Sequence, residues 1–211
     1  LRDGDVYQIN YTHPKKYNII GDPLSLYSSL RTISEPLNGY YINTGHNHIL
    51  SLSPESFFSI KNNIIETRPI KGTRSRNIDY KLDKIVIDEL YNCPKDRAEH
   101  LMIVDLLRND LGKICKYDTI KVKDLFNVES FKTIHHMVTK IKGLLRDEID
   151  ISDIISALFP GGSITGAPKE RAIEIIDSLE PNNRNIYTGT IGHVSSNTEM
   201  YFNIAIRTLV I

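Results

Sequence analysis

The 211-residue sequence has no tryptophan and only two cysteines, Cys93 and Cys115. Their spacing suits neither a metal site nor a redox motif, so a reduced, cytoplasmic protein is expected. Net charge is also absent, because 26 lysines and arginines balance 26 aspartates and glutamates. That balance removes the electrostatic footprint of a nucleic-acid or anionic-membrane binder. No apolar run is long enough to span a bilayer, and the first residues carry no basic-then-apolar pattern. Asn10-Tyr-Thr12 fits a glycosylation acceptor and, with no secretory pattern beside it, reads as chance. Repeats, low-complexity tracts and linkers are missing too. What remains is ordinary globular composition, 40% hydrophobic and 25% charged, in a length that suits one large domain or two small ones.

Both ends read as cut. Leu1 leads within a few residues into an extended segment, and Thr208-Leu-Val-Ile211 stops inside an apolar extended run. The expectation is the interior of a longer enzyme. Between the ends, short β segments are predicted over 6–12, 40–44, 48–53, 57–61 and 64–68, with Asn62-Asn63 as a tight hairpin turn. Helices are predicted over 24–32, 79–90, 95–111, 151–158 and 168–179. Strands return over 119–122, 132–143, 188–195 and 199–211. Helices set between runs of hairpins predict an α+β fold with large, largely antiparallel sheets.

The chemistry concentrates in a few segments. Arg68-Pro-Ile-Lys-Gly-Thr-Arg74 puts Lys71 on an apparent turn bounded by proline and glycine. Alone, Lys71 reads as a surface cation, and Glu55 of Ser53-Pro-Glu55 as a solvated loop residue. One hairpin separates them, and a hairpin returns the chain to its starting end, so both can face one cavity. Buried there, a carboxylic acid could protonate a leaving hydroxyl while a neutral lysine attacks. Glu99 lies near the start of a helix that is apolar almost all round from Leu101 to Leu107. A helix-dipole role and a Mg²⁺-ligand role fit it equally well. Asp105 and Arg108 are spaced to pair.

Pro160-Gly-Gly-Ser-Ile-Thr-Gly-Ala-Pro-Lys169 is a glycine-rich loop feeding a helix, the pattern of an anion site. Ala167 and Pro168 separate the last glycine from Lys169, so it is not a nucleotide loop, and a carboxylate is the expected anion. In the last predicted strand, alternation puts Arg207 on one face with Ala205 and Asn203, where it can clamp a carboxylate or form a surface ion pair. His135 and His136 alternate to opposite faces, which excludes joint ligation of one metal.

Together these pieces resemble the chorismate-binding enzyme family. They include Gly4-Asp-Val-Tyr-Gln-Ile-Asn10, Ser53-Pro-Glu55, Arg68–Thr73, Ala98–Leu111, Val128-Glu-Ser130, His135-His136, Pro160–Lys169 and Ile206-Arg-Thr208. The resemblance implies two packed β-sheets flanked by helices, with chorismate and Mg²⁺ between them. Gln8 combined with Lys71 resembles the aminodeoxychorismate synthase component I branch. Anthranilate synthases usually have alanine in place of Lys71, and water-adding relatives lysine in place of Gln8.

That resemblance implies catalytic roles for Lys71, Glu55 and Gln8. Lys71 would attack C2 of chorismate while Glu55 protonates the departing C4 hydroxyl, and ammonia from a glutamine amidotransferase subunit would then add at C4. It implies Glu99 as a Mg²⁺ ligand. Substrate would be held by Thr73, His136, Tyr187 and Arg207, by the loop residues Gly162, Ser163, Thr165, Gly166 and Ala167, and by Lys169. A second Mg²⁺-binding glutamate of the family lies past the Ile-Arg-Thr strand, outside these 211 residues, so weak metal binding is expected of them alone. The alternatives are an anthranilate synthase component I and a silent chorismate-binding module.

Overall fold

The computed structural model describes residues 4–36, 38–196 and 199–211. The fold is α+β, and every strand pairing in it is antiparallel. A three-stranded sheet is ordered β12 (Thr208–Val210), β3 (His48–Ser51), β2 (Tyr40–Asn43). Helix α1 (Pro23–Ser34) starts where the Asp22 carboxylate accepts from the Ser25 N–H and proline fills the first turn. It lays Tyr27 against Leu50 and Leu52.

The larger sheet runs β10 (Thr190–Ser196), β11 (Glu199–Ile204), β4 (Ser56–Lys61), β5 (Ile64–Thr67), β8 (Ile134–Leu144), β6 (Ile70–Ser75); β7 (Lys121–Ser130) also pairs with β8. Asn62 and Asn63 both take positive φ and close the β4–β5 hairpin, as their sequence predicts. Helices α2 (Tyr80–Asn92) and α3 (Pro94–Gly112) cover the sheet, and α4 (Ile151–Leu158) packs on α3. Phe57, Phe58, Ile65, Ile103, Leu107, Leu111, Ile141 and Leu158 form the main core. None of the helices, among the described residues, is long and apolar enough to cross a membrane.

Five expectations change. The apparent turn around Lys71 is strand β6, paired with β8 from Ile70↔Val138 to Ser75↔Ile134, with its register slipping at Gly72 (φ 80°). A Cβ at Gly72 would meet Leu90 Cδ1 at 2.9 Å and Asp96 Cβ at 3.2 Å. Glycine there therefore serves a bulge under closely packed helices. Strand β7 runs eight residues past its predicted end at Val122, because positive φ at Asp124 and Phe126 makes a bulge that breaks the alternation. Helix α3 is buried on one side only: Leu101 is 43% exposed, and the Asp105–Arg108 pair (3.0 Å) faces solvent.

The last strand is not continuous. β11 ends at Ile204, Arg207 takes a φ of 49°, and β12 starts at Thr208 in the other sheet. The neighbouring chain does the same between β3 and β4. The two strands stay bonded on either side, through Leu52 N–H to Arg207 O (3.1 Å) and Ile204 N–H to Glu55 O (3.0 Å). Between those points they part, and Ala205 bonds to Thr188 and Gly189 instead. Glu55 and Arg207 thus both sit where the chain crosses from one sheet to the other.

The predicted strand over 6–12 shrinks to β1 (Gln8–Ile9), which pairs with β9 (Gly166–Ala167). Gly166 has a φ of 156°, and a Cβ there would lie 2.1 Å from Gln8 O and 2.9 Å from Ala172 Cβ. Gly166→Ala is expected to destabilise the protein by about 3 kcal/mol, joining backbone strain to overpacking. Urea unfolding should show a lower midpoint at unchanged slope.

Candidate functional site

Ser163 is the hub of the site. It lies in the single 3₁₀ turn Gly162–Ile164, after the chain leaves α4 and before β9. Its carbonyl accepts from Lys71 Nζ (3.1 Å) and from Asn10 Nδ2 (3.1 Å), and its hydroxyl lies near enough to the Glu55 carboxyl to favour the ionised form. A Cβ on Gly162, just before it, would meet the end of the Leu106 side chain, so α3 and the turn are in direct contact.

Burial sets the protonation states. Glu55 is 8% exposed, and desolvation pushes its pKa up to about 7 against the opposing Ser163 hydroxyl and Lys71 charge. Desolvation likewise pushes Lys71 below the usual lysine range, against the nearby charges of Glu55 and Glu99. His100 is fully buried beside them, its Nε2 2.7 Å from Thr139 Oγ1. Burial and the Lys71 charge bring its pKa down to about 4. The cavity beside Glu55 is lined by Ser163, Gly161, Gly162, Arg68 and Leu107, but not by Lys71. Acid and amine act on each other through charge, and both meet Ser163.

The loop is held from behind. Asn10 N–H donates to Thr165 O (2.8 Å) and Tyr7 N–H to Ala167 O (2.8 Å). Arg184 donates to Ile164 O (2.9 Å), to Asn10 O (2.6 Å) and to Glu180, which also accepts from the Thr12 N–H (2.8 Å). This clamp had no motif to announce it.

On β8 the two histidines diverge. His135 is a structural anchor, 2.8 Å from both Asp83 Oδ1 and Ser130 Oγ. His136 turns the other way, with Nδ1 2.9 Å from Thr73 Oγ1 and a buried Nε2 that has no partner. Burial first, and the charge of Arg207 second, lower its pKa. Gln8 Oε1 is a second buried atom without a partner. Unsatisfied buried polar atoms such as these are what a polar ligand would complete.

Other predicted residues fall elsewhere. Lys169 does not point to the site: its Nζ bonds Asp110 and Leu158 O (3.0 Å), which ties α5 (Lys169–Leu179) to α3. Asp110 lies 59 positions away, so nothing local in the sequence showed that partner. Tyr187 lines a wider groove with Thr12, Arg184 and Thr208, separate from the cavity beside Glu55. Arg207 is exposed at the crossover, where its positive φ removes it from the strand face that alternation assigned. Glu99 is partly exposed, and its nearest ion-pair partner is Lys95 at 3.9 Å.

Comparison with known proteins places this geometry. The model of the chorismate binding enzyme family matches residues 1–211. The chain belongs to the chorismate-binding enzyme family. It is 42% identical over 209 residues to aminodeoxychorismate synthase component 1 of Bacillus subtilis, covering 99% of this chain and 44% of that protein. It is 41% identical over 208 residues to anthranilate synthase component 1 of Saccharolobus solfataricus, covering 99% and 49%. Its fold overlays the crystal structure of anthranilate synthase component I from Streptococcus pneumoniae with a TM-score of 0.91 and 35% identity, covering 99% and 46%. The chain thus spans under half the length of each of these chorismate-binding relatives, which carry two different activities.

Proposed function

We propose that this member of the family provides the catalytic residues for converting chorismate and ammonia to 4-amino-4-deoxychorismate, the step toward para-aminobenzoate and folate. One observation carries the reading: Ser163 joins an amine whose charged form is disfavoured to a carboxyl whose acid form persists near pH 7. A neutral amine has a lone pair to attack with, and a neutral acid has a proton to give.

Lys71 Nζ forms a bond to C2 of chorismate, both ring double bonds shift, and the C4–O bond breaks. Glu55 gives its proton to the departing hydroxyl, which leaves as water, and the proton shed by the alkylated nitrogen restores the acid. Ammonia, supplied by a glutamine amidotransferase subunit, bonds at C4; both double bonds shift back and expel Lys71 from C2, Glu55 giving the leaving nitrogen its proton and taking one from the new C4 ammonium. Gln8, with its unpartnered carbonyl oxygen, offers an acceptor for the incoming ammonia. His136, Thr73 and Arg207 present donors to the substrate's oxygens.

Among the described residues no cluster of three or more His, Cys, Asp or Glu side chains is arranged for a metal. Glu99 offers one partly exposed carboxylate, which fits Mg²⁺ shared between protein, substrate oxygens and water better than a preformed cage. When bound, Mg²⁺ would supply positive charge to a substrate carboxylate.

The test is intact-mass measurement after adding chorismate without ammonia. An adduct mapping to Lys71 is expected; turnover with no adduct on any lysine would remove the covalent route. Anthranilate synthesis is the second reading, favoured by the 41% identity and the 0.91 overlay. Product spectra from chorismate and ammonium separate the two. Arg207→Ala should lower kcat/KM by about 10–100-fold, the worth of a charged hydrogen bond of roughly 1.5–3 kcal/mol. Initial-rate kinetics should show KM raised as well as kcat lowered, because the group grips substrate and developing charge alike.

A further inference from the structure

Among the described residues Lys71 has one hydrogen-bond partner, and that partner is shared. The Ser163 carbonyl receives Lys71 Nζ at 3.1 Å and the Asn10 side-chain amide at 3.1 Å, with Thr165 O a longer second contact of that amide at 3.5 Å. Both neighbours of the Asn10 amide are carbonyls, so its NH₂ end must face them. Asn10 itself is anchored on both sides of its backbone, by N–H to Thr165 O and by C=O to Arg184 Nη2 (2.6 Å). A rigid donor therefore fixes the carbonyl on which the amine rests.

We propose that Asn10 is a positioning residue for the Lys71 nucleophile, holding the Ser163 carbonyl as a seat that directs the amine's free electron pair outward. A neutral amine has two N–H bonds and one lone pair. With one N–H committed to Ser163, rotation about the last side-chain bond is arrested, and the lone pair keeps one direction. The same fixed turn carries the hydroxyl that meets Glu55, so displacement of Ser163 misplaces acid and amine together. Of the groups facing Lys71 from the surrounding elements, Glu55 and Glu99 act on it through charge, while the Lys71 charge helps keep His100 neutral. Each of them lacks a hydrogen bond to its nitrogen, which leaves Ser163 to set direction.

This rests on Lys71 being the nucleophile, so the experiment reads the two separately. Asn10→Asp keeps the shape and, ionised, has no donor; Asn10→Leu removes the polar end. In the enzyme with its amidotransferase partner, both should lower kcat by about tenfold or more while KM changes less than about threefold, since small misplacements of a reacting group carry penalties of that order. The rate of Lys71 adduct formation without ammonia should fall by the same factor. A purely space-filling role predicts an Asn10→Asp enzyme within about twofold of the parent, and that result overturns the inference while the parent adduct stands. A parent that turns over with no Lys71 adduct overturns the nucleophile assignment, and this inference with it. If Asn10→Leu fails to fold, Asn10→Asp alone decides.

Discussion

Lys71→Ala is expected to slow turnover about a hundredfold or more, roughly 3 kcal/mol of transition-state stabilisation, while leaving the fold intact. Among the described residues the amine is hydrogen-bonded only to the Ser163 carbonyl, and Asn10 remains on that carbonyl when the amine is gone. No buried acceptor is orphaned, so thermal unfolding should change little. The electrostatic consequence has a definite sign. The Lys71 charge lowers the Glu55 pKa, and its removal lets desolvation push that pKa further above about 7. Residual activity, where measurable, should therefore persist to higher pH than the parent's. Steady-state rates across pH, with product identified by its spectrum, provide the check. Near-parental turnover at neutral pH would remove the covalent mechanism and leave family membership untouched.

The sequence made the hairpin that brings Glu55 toward Lys71 legible, because Asn62-Asn63 and two short β-rich runs specify it locally. It did not disclose that Lys71 lies in a strand. Pro69 and Gly72 are ordinary turn residues, and only the packing of Leu90 and Asp96 over Gly72 shows why glycine is needed inside a sheet. Alternation failed at Arg207 for a related reason. The rule assumes one sheet, whereas the chain changes sheets between Ile204 and Thr208. The Asp110 partner of Lys169 was not legible, because glycine-rich loops are read by their own residues and Asp110 is on another helix. The Ser163 hub was the least legible part. It acts through a main-chain carbonyl, and a carbonyl leaves no residue type to recognise.

Glu55→Gln is the sharper test of the acid, with an expected loss of about 10²–10³ in kcat, the usual worth of a positioned proton donor. Glutamine keeps the shape and can still accept from the Ser163 hydroxyl, but it has no proton to release. In the parent, rate should follow a bell-shaped curve. It rises with pH as Lys71 loses its proton, at a pKa lowered by burial, and falls above about 7 as Glu55 ionises. The variant should lose the alkaline limb and keep the acidic one, because only the amine still titrates. Burial of a neutral amide in place of a carboxyl that is half ionised near pH 7 also removes a desolvation penalty, so the folded variant should be no less stable at pH 8 than the parent. The pH profile of kcat/KM decides the matter. An alkaline limb that survives in Glu55→Gln would assign that ionisation to another group and take the proton donation away from Glu55.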